Sequence, residues 1–321
     1  MIVTFTANPS VDRTAEVAEL MRGAVIRAHQ IRVDAGGKGI NVTRALAANG
    51  YPSIAVLPSG GAEGAQLRAL LEAERLSVMA VPVAGAIRAN VAIVEPDGTT
   101  TKINEPGPEL SAAELEALTA TLLQTAAGGK ADWVVLSGSL PPGVDPELYA
   151  ELTRRLRRQG VKVALDTAGP LLRAAVAGGP DLIKPNDREL EQASGIVVST
   201  PADVLEAAAE LRRAGARDVL ASLGADGAVL VDQTGAWHGC APVAVPRSTV
   251  GAGDSMLAGF LAGGGRGPAA LAEGVAWAAA AVSLPGSRMP TPSDIDRSAV
   301  SVNPLHATTT KEETHEHAHH A

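Results

Sequence analysis

The sequence predicts an α/β protein of three layers, with a mostly parallel central sheet between helices and a small β-sheet lid. Three observations predict it. Short β-rich runs alternate with alanine- and leucine-rich helical patterns along most of the 321 residues, and such alternation implies a parallel sheet covered on both faces. Residues 11–33 and 87–104 break that rhythm with strand-like alternation and no helix between. Two glycine-rich loops, at 35–41 and 248–254, each run directly into a helical pattern.

The elements follow in order. Residues 2–6 form a short apolar run without a basic leader, closed by Asn8-Pro9, which reads as a strand and not as a signal peptide. Further strands are predicted at 54–57, 133–136, 161–165, 182–183, 219–222 and 228–231. Helices are predicted at 42–48, 62–74, 112–127, 146–159, 203–214, 268–283 and from Met256 onward. Ser111 with Glu114 three residues later has the spacing of a capping box, and Gly160 and Gly215 stand where helices stop. Within 87–104, Arg88, Asn90, Ala92 and Val94 share one face while Ala89, Val91, Ile93 and Glu95 share the other. Asp97-Gly98 then reads as a hairpin turn. A lid built this way would exclude water from a pocket at the strand ends, and the same sheet offers a homodimer interface.

One domain is expected over residues 1–302. The tail, 303–321, carries His306, His315, His317, His319 and His320 among polar residues and is expected to be disordered, without an enclosed metal site. The formal charge is −8, from 27 basic and 35 acidic residues, which argues against a broad nucleic-acid or anionic-membrane surface. Three Trp, two Tyr and two Phe leave few stacking platforms for single-stranded nucleic acid. Cys240 is the sole cysteine, so an internal disulfide and a multi-cysteine zinc site are excluded. No run approaches ~18 uninterrupted apolar residues, and the expected location is the cytoplasm.

The chemistry concentrates in the two loops. Gly251, Ala252 and Gly253 let the backbone turn sharply against a ligand. The helix that follows presents free N–H groups and a positive dipole end to an anion such as phosphate. Asp254 is odd there, since a carboxylate repels phosphate. It makes sense as a base that takes a proton from an attacking hydroxyl, although an ordinary first-turn acidic residue would look the same. The other loop, Gly36-Gly37-Lys38-Gly39 with Asn41, is neither a Walker A loop nor a dinucleotide fingerprint. Its glycines, one cation and one amide suit a polyhydroxylated ligand that carries a phosphate.

Together with Asn8-Pro9-Ser10-Val11-Asp12, Ser137-Gly138-Ser139-Leu140-Pro141-Pro142-Gly143, Lys184-Pro185-Asn186-Asp187-Arg188-Glu189-Leu190 and Ser222-Leu223-Gly224-Ala225-Asp226-Gly227, the loops resemble the ribokinase-like carbohydrate kinases of the PfkB group. The resemblance runs from Asn8 to about Gly286 and implies a ribokinase-like fold. It also implies an ATP- and Mg²⁺-dependent sugar-phosphate kinase. Asp254 would be the base, with Gly251, Ala252 and Gly253 as anion hole. Asp12, Gly37 and Asn41 would hold sugar hydroxyls. Lys38, Arg88 and Lys102 are candidates for the phosphate already on the sugar, and Asn90 and Ser139 belong to the same pocket. Lys184, Asn186, Ser222, Gly224 and Gly227 would face ATP, with Asn186 and Glu189 bearing on Mg²⁺ through water. Within the group the chain is most similar to members acting on fructose 1-phosphate, so the expected reaction is phosphorylation of its C6 hydroxyl. Fructose 6-phosphate or tagatose 6-phosphate as acceptor, or a non-catalytic sugar-phosphate sensor, are the alternatives.

Overall fold

The computed structural model describes residues 1–305. The chain begins with β1 (Ile2–Thr6), β2 (Ser10–Glu16), β3 (Gln30–Gly36), α1 (Lys38–Ala48), β4 (Ser53–Ser59), α2 (Gly61–Ala73), β5 (Val78–Pro82), β6 (Arg88–Val94) and β7 (Thr100–Asn104). It continues through α3 (Ala112–Ala126), β8 (Trp133–Ser137), α4 (Leu148–Arg158), β9 (Lys162–Asp166), α5 (Gly169–Val176), β10 (Leu182–Ile183), α6 (Asp187–Ser194) and α7 (Pro201–Arg213). Last come β11 (Asp218–Ser222), β12 (Ala228–Asp232), β13 (Gly235–Cys240), α8 (Ala252–Ala262), α9 (Gly267–Val282) and β14 (Ser301–Pro304).

Ten strands form the main sheet in the order β14-β13-β12-β11-β10-β9-β8-β1-β4-β5. Its pairings are parallel from β5 to β11 and antiparallel from β11 to β14. The period-two alternation of strand side chains divides the core. Val3, Phe5, Val134 and Leu136 pack with Leu118 and Leu122 of α3 and Tyr149 and Leu152 of α4. Ile2 and Val135 pack on the opposite face with Leu46 of α1, Leu257 and Phe260 of α8 and Trp277 of α9. Small residues let α8 and α9 approach closely. A Cβ at Gly259 would lie 2.7 Å from Trp277 Cγ.

The second sheet has the order β3-β2-β6-β7. Val11, Ala35, Ile40, Leu57 and Leu67 join its base to the body. Because β3 ends at Gly36 and α1 starts at Lys38, the lid and the first glycine-rich loop are one continuous stretch of chain.

Several elements differ from expectation. The strands β5, β13 and β14 and the helices α5 and α6 appear where none was predicted. Strand β14 pairs with β13 through Pro304, two residues beyond the expected domain boundary at 302. The helix predicted from 146 starts at Leu148, after a turn in which Asp145 Oδ1 accepts from Glu147 N at 2.8 Å. The histidine tail from His306 onward lies outside the described residues. Among the described residues no helix is long and apolar enough to cross a membrane.

Candidate active site

Two helix N-termini meet beyond the C-terminal ends of the parallel strands, where ligands bind in open α/β sheets. Gly37 precedes α1 with φ +126° and Gly251 precedes α8 with φ +78°, conformations that favour glycine. The side chains of the two helices touch at the site. Asn41 Nδ2 donates to Asp254 Oδ2 at 2.8 Å. Asp254 is buried, and burial, reinforced by the nearby Asp166 charge, pushes its carboxyl up to about 6 against the opposing pull of Lys38 and Lys184. Such a carboxylate binds a proton readily yet is mostly ionised at neutral pH, as a general base must be.

The group that organises the charges is Asp166, which was not singled out from the sequence. Fully buried at the end of β9, it lies between two ammonium groups. Lys38 Nζ is 2.6 Å from its Oδ1 and Lys184 Nζ is 3.1 Å from its Oδ2. Burial alone would raise the Asp166 carboxyl, but Lys184 and Lys38 outweigh it and hold it below the usual range. Lys38 also donates to Glu189 Oε1 at 3.2 Å. Burial works to lower the Lys38 ammonium, and the charges of Asp166 and Glu189 override it and raise it. Lys38, expected at the acceptor's phosphate, is thus held by two carboxylates while it also lines the cavity under the lid. The only sequence signal for Asp166 was its place, a carboxylate closing an apolar strand.

Lys184 completes the second loop. A Cβ at Gly253 would stand 3.2 Å from its Nζ, so this ammonium and the positive end of α8 address the same point. Two positive features converge stably on one point when an anion occupies it.

The lid's inner face forms the roof of a cavity of about 400 Å³ whose floor includes Gly37, Lys38 and Asn41. Register places its side chains in cross-strand rows. Gly36, Ser10 and Arg88 lie nearest the floor. Asp34, Asp12, Asn90 and Asn104 come next, and Arg32, Thr14, Ala92 and Lys102 form the outer row. Asp12 Oδ1 accepts from Ser10 Oγ at 2.6 Å and from Asn90 Nδ2 at 2.9 Å. Arg88 donates to the Asn8 and Glu105 carbonyls at 3.0 and 3.2 Å. Its guanidinium is lowered by burial, with Asp12 opposing. Ser139 Oγ accepts from Asn8 Nδ2 at 3.2 Å, and Lys102 is exposed. Thr6 Oγ1, Asn8 Oδ1, Asn90 Oδ1 and Arg88 Nε are buried without a hydrogen-bond partner among the described residues. All four belong to residues lining the cavity. Thr6 Oγ1 stands over Gly39 and Asn8 Oδ1 over Gly107, so these orphans belong to the packing around the cavity. The lid's Ser10, Asp12, Asn90 and Asn104 make the lining polar, which suits a hydroxyl-rich ligand. Besides Asp166, residues that the structure adds to the site include Thr6, Asn8, Ser10, Arg32, Asp34 and Asn104.

On the other flank, Asn186 and Glu189 cap α6 reciprocally. Asn186 Oδ1 accepts from Glu189 N at 2.8 Å, and Glu189 Oε2 accepts from Asn186 N at 3.0 Å. Asn186 bridges in parallel to Ser222, which brings the 184–189 and 222–227 stretches side by side. Gly224 has φ +60° and open space beside it, whereas a Cβ at Gly227 would lie 2.2 Å from the Gly239 carbonyl. Gly227 is thus demanded by the tight turn into β12. No cluster of three His, Cys, Asp or Glu that could hold a metal occurs among the described residues. Asn186 Oδ1 and both Glu189 oxygens already accept protein hydrogen bonds, so they would serve Mg²⁺ through its bound waters, as suits an ion that keeps several waters and binds with the help of phosphate.

The chain is similar to known proteins along most of its length. The family described as pfkB family carbohydrate kinase matches residues 6–294. A 1-phosphofructokinase of Rhodobacter capsulatus is 43% identical over 262 residues, covering 81% of this chain and 82% of that protein. The ATP-dependent 6-phosphofructokinase isozyme 2 of Escherichia coli is 36% identical over 80% of this chain and 83% of its own length. The crystal structure of phosphofructokinase-2 from Escherichia coli in complex with substrates and products superposes with a TM-score of 0.85 at 34% identity, covering 91% of this chain and 96% of that one.

Proposed function

The chain belongs to the pfkB family of carbohydrate kinases, and we propose that it transfers the γ-phosphoryl group of ATP to the C6 hydroxyl of D-fructose 1-phosphate, giving D-fructose 1,6-bisphosphate. The observation that carries this reading is the buried Asp254 carboxylate, held by Asn41 at the N-terminus of α8 with Lys184 beside it. Asp254 takes the proton of the acceptor hydroxyl as its oxygen bonds to the γ-phosphorus, and the bond from that phosphorus to the leaving ADP oxygen breaks. The N–H groups of Gly251 and Gly253 would meet the charge that develops in transfer, whereas Ala252, expected to join them, gives its N–H to the Thr249 carbonyl at 3.3 Å. Mg²⁺, near Asn186 and Glu189, would neutralise charge on the ATP phosphates. Lys38 and Lys184, both ion-paired with Asp166, serve the same phosphates. Ser222 and Gly224 border the nucleotide, and Asp12 and Asn90 present polar atoms to the sugar.

Fructose 6-phosphate as acceptor is the second reading, favoured by the likeness to the Escherichia coli 6-phosphofructokinase. A coupled assay of ADP formation on fructose 1-phosphate, fructose 6-phosphate and tagatose 6-phosphate decides between them. We expect kcat/KM to be at least tenfold higher for fructose 1-phosphate. A higher value for fructose 6-phosphate establishes the second reading, and turnover of none leaves a sensor. We further propose that the protein is a homodimer joined through the lid.

A further inference from the structure

The cations that line the acceptor cavity are not equivalent. Lys38 is held by Asp166 and Glu189, and Arg88 is turned onto two backbone carbonyls at the base of the lid. The outer row of the lid is different, with Arg32 at one end on β3, Lys102 at the other on β7, and the small side chains of Thr14 and Ala92 between them. Lys102 makes no ion pair among the described residues. Arg32 is ion-paired with Asp34 through Nε alone, at 2.7 Å from Oδ2, which leaves Nη1 and Nη2 without an acceptor among the described residues.

The guanidinium is also clamped from outside the lid. It lies against the turn at Gly286, where a Cβ would come within 2.3 Å of Nη2, 2.5 Å of Cζ and 2.6 Å of Nη1. Gly286 itself has φ +61°, a conformation that favours glycine. The neighbouring Ser287 and Val250 line the same cavity, so Arg32 bridges the lid to the body beside the anion-hole loop. From the Gly36 row to the Arg32 row is four residues of strand, or ~13 Å at about 3.3 Å per residue. A hexose phosphate stretched along this face puts one end at Asn41 and Asp254 and the other at the outer row.

We propose that Arg32 determines acceptor specificity by gripping, with Lys102, the phosphate already on the sugar. A guanidinium held in place offers two parallel N–H groups to a phosphate, and its orientation is fixed before binding. Lys102 adds a second charge from the opposite edge. This inference rests on the sugar-phosphate kinase reading above.

The test compares the purified wild-type protein with Arg32→Gln, Arg32→Lys, Lys102→Gln and Gly286→Ala, using fructose 1-phosphate and MgATP. For Arg32→Gln we expect the sugar-phosphate KM to rise at least tenfold, with kcat and the ATP KM within twofold of wild type. Arg32→Lys should recover part of that loss, since it restores charge without the fork. Gly286→Ala should shift the same KM in the same direction by displacing the guanidinium. An unchanged KM in Arg32→Gln overturns the assignment, and so does an equal loss in both KM values, which would mark a purely structural role. Wild-type protein that turns over no hexose phosphate overturns the kinase reading together with this one, whereas normal wild-type turnover with an unaffected Arg32→Gln overturns this one alone.

Discussion

Asp254 is isosteric with asparagine, so Asp254→Asn separates the base from the shape of the site. We expect kcat to fall by about 10²- to 10⁴-fold, the usual worth of a positioned general base, with both KM values within threefold of wild type. Near-normal turnover in that variant would remove Asp254 from the chemistry. The carboxyl is raised from 3.8 to about 6, so kcat/KM for the acceptor should fall tenfold per pH unit below about 6 and level off above it. The effect on stability has the opposite sense. A raised carboxyl binds its proton more tightly folded than unfolded, so its contribution to stability declines as pH rises between the ordinary value and about 6. Asp254→Asn should therefore unfold at a temperature no lower than wild type at pH 7. Asp254, Asn41 and the Gly251–Gly253 loop could be singled out in the sequence because each sits in a short motif, and the fold brings them together. Asp166 was not, because its significance lies in Lys38 and Lys184, which are 128 and 18 residues away and reach it only through the fold.

The start of α8 is where a single methyl group can tell packing from catalysis. Gly253 has ordinary helical backbone, and alanine there is favoured by up to about 1 kcal/mol in helix propensity. Its Cβ, however, would sit 3.2 Å from Lys184 Nζ, the far end of a flexible side chain. We expect Gly253→Ala to keep or gain stability in a denaturant titration while kcat falls about tenfold as Lys184 is displaced, a modest loss of transition-state charge stabilisation. Equal kcat would show that Lys184 does not serve the anion hole. Elements with strong local signals, such as α3 with its capping box and the β6–β7 hairpin around Asp97-Gly98, were readable from the chain. Others lacked them. Strand β13 begins at Gly235 and has Gly239 near its end, and β5 ends in Pro82, so both depend on neighbouring strands more than on propensity. Helices α5 and α6 are eight residues each, short enough to require tertiary packing.

The lid has two faces, and only the inner one is accounted for by the acceptor cavity. Alternation turns Ile31, Val33, Val91, Ile93 and Ile103 to the outer face. Its base is covered by α2, where Arg13 Nη2 donates to Gln66 Oε1. Farther out, Ile31 is 66% exposed and Ile103 58%, and in the connection between β2 and β3 Met21 and Val25 are exposed as well. Exposed apolar residues at both edges of a four-stranded sheet, with Arg13 and Thr101 among them, offer a site for association, and a second copy of the same lid supplies a matching face through a two-fold axis. Dimerisation there would also brace the strands that carry Asp12, Arg32 and Lys102, linking assembly to acceptor binding. Light scattering at micromolar concentration should give twice the 32.5 kDa chain mass. Ile31→Asp combined with Ile103→Asp should return the mass to one chain and raise the sugar-phosphate KM severalfold, with far-ultraviolet circular dichroism unchanged. A wild-type mass of one chain at that concentration excludes the lid interface. A dimer that survives both substitutions places the contact elsewhere on the molecule.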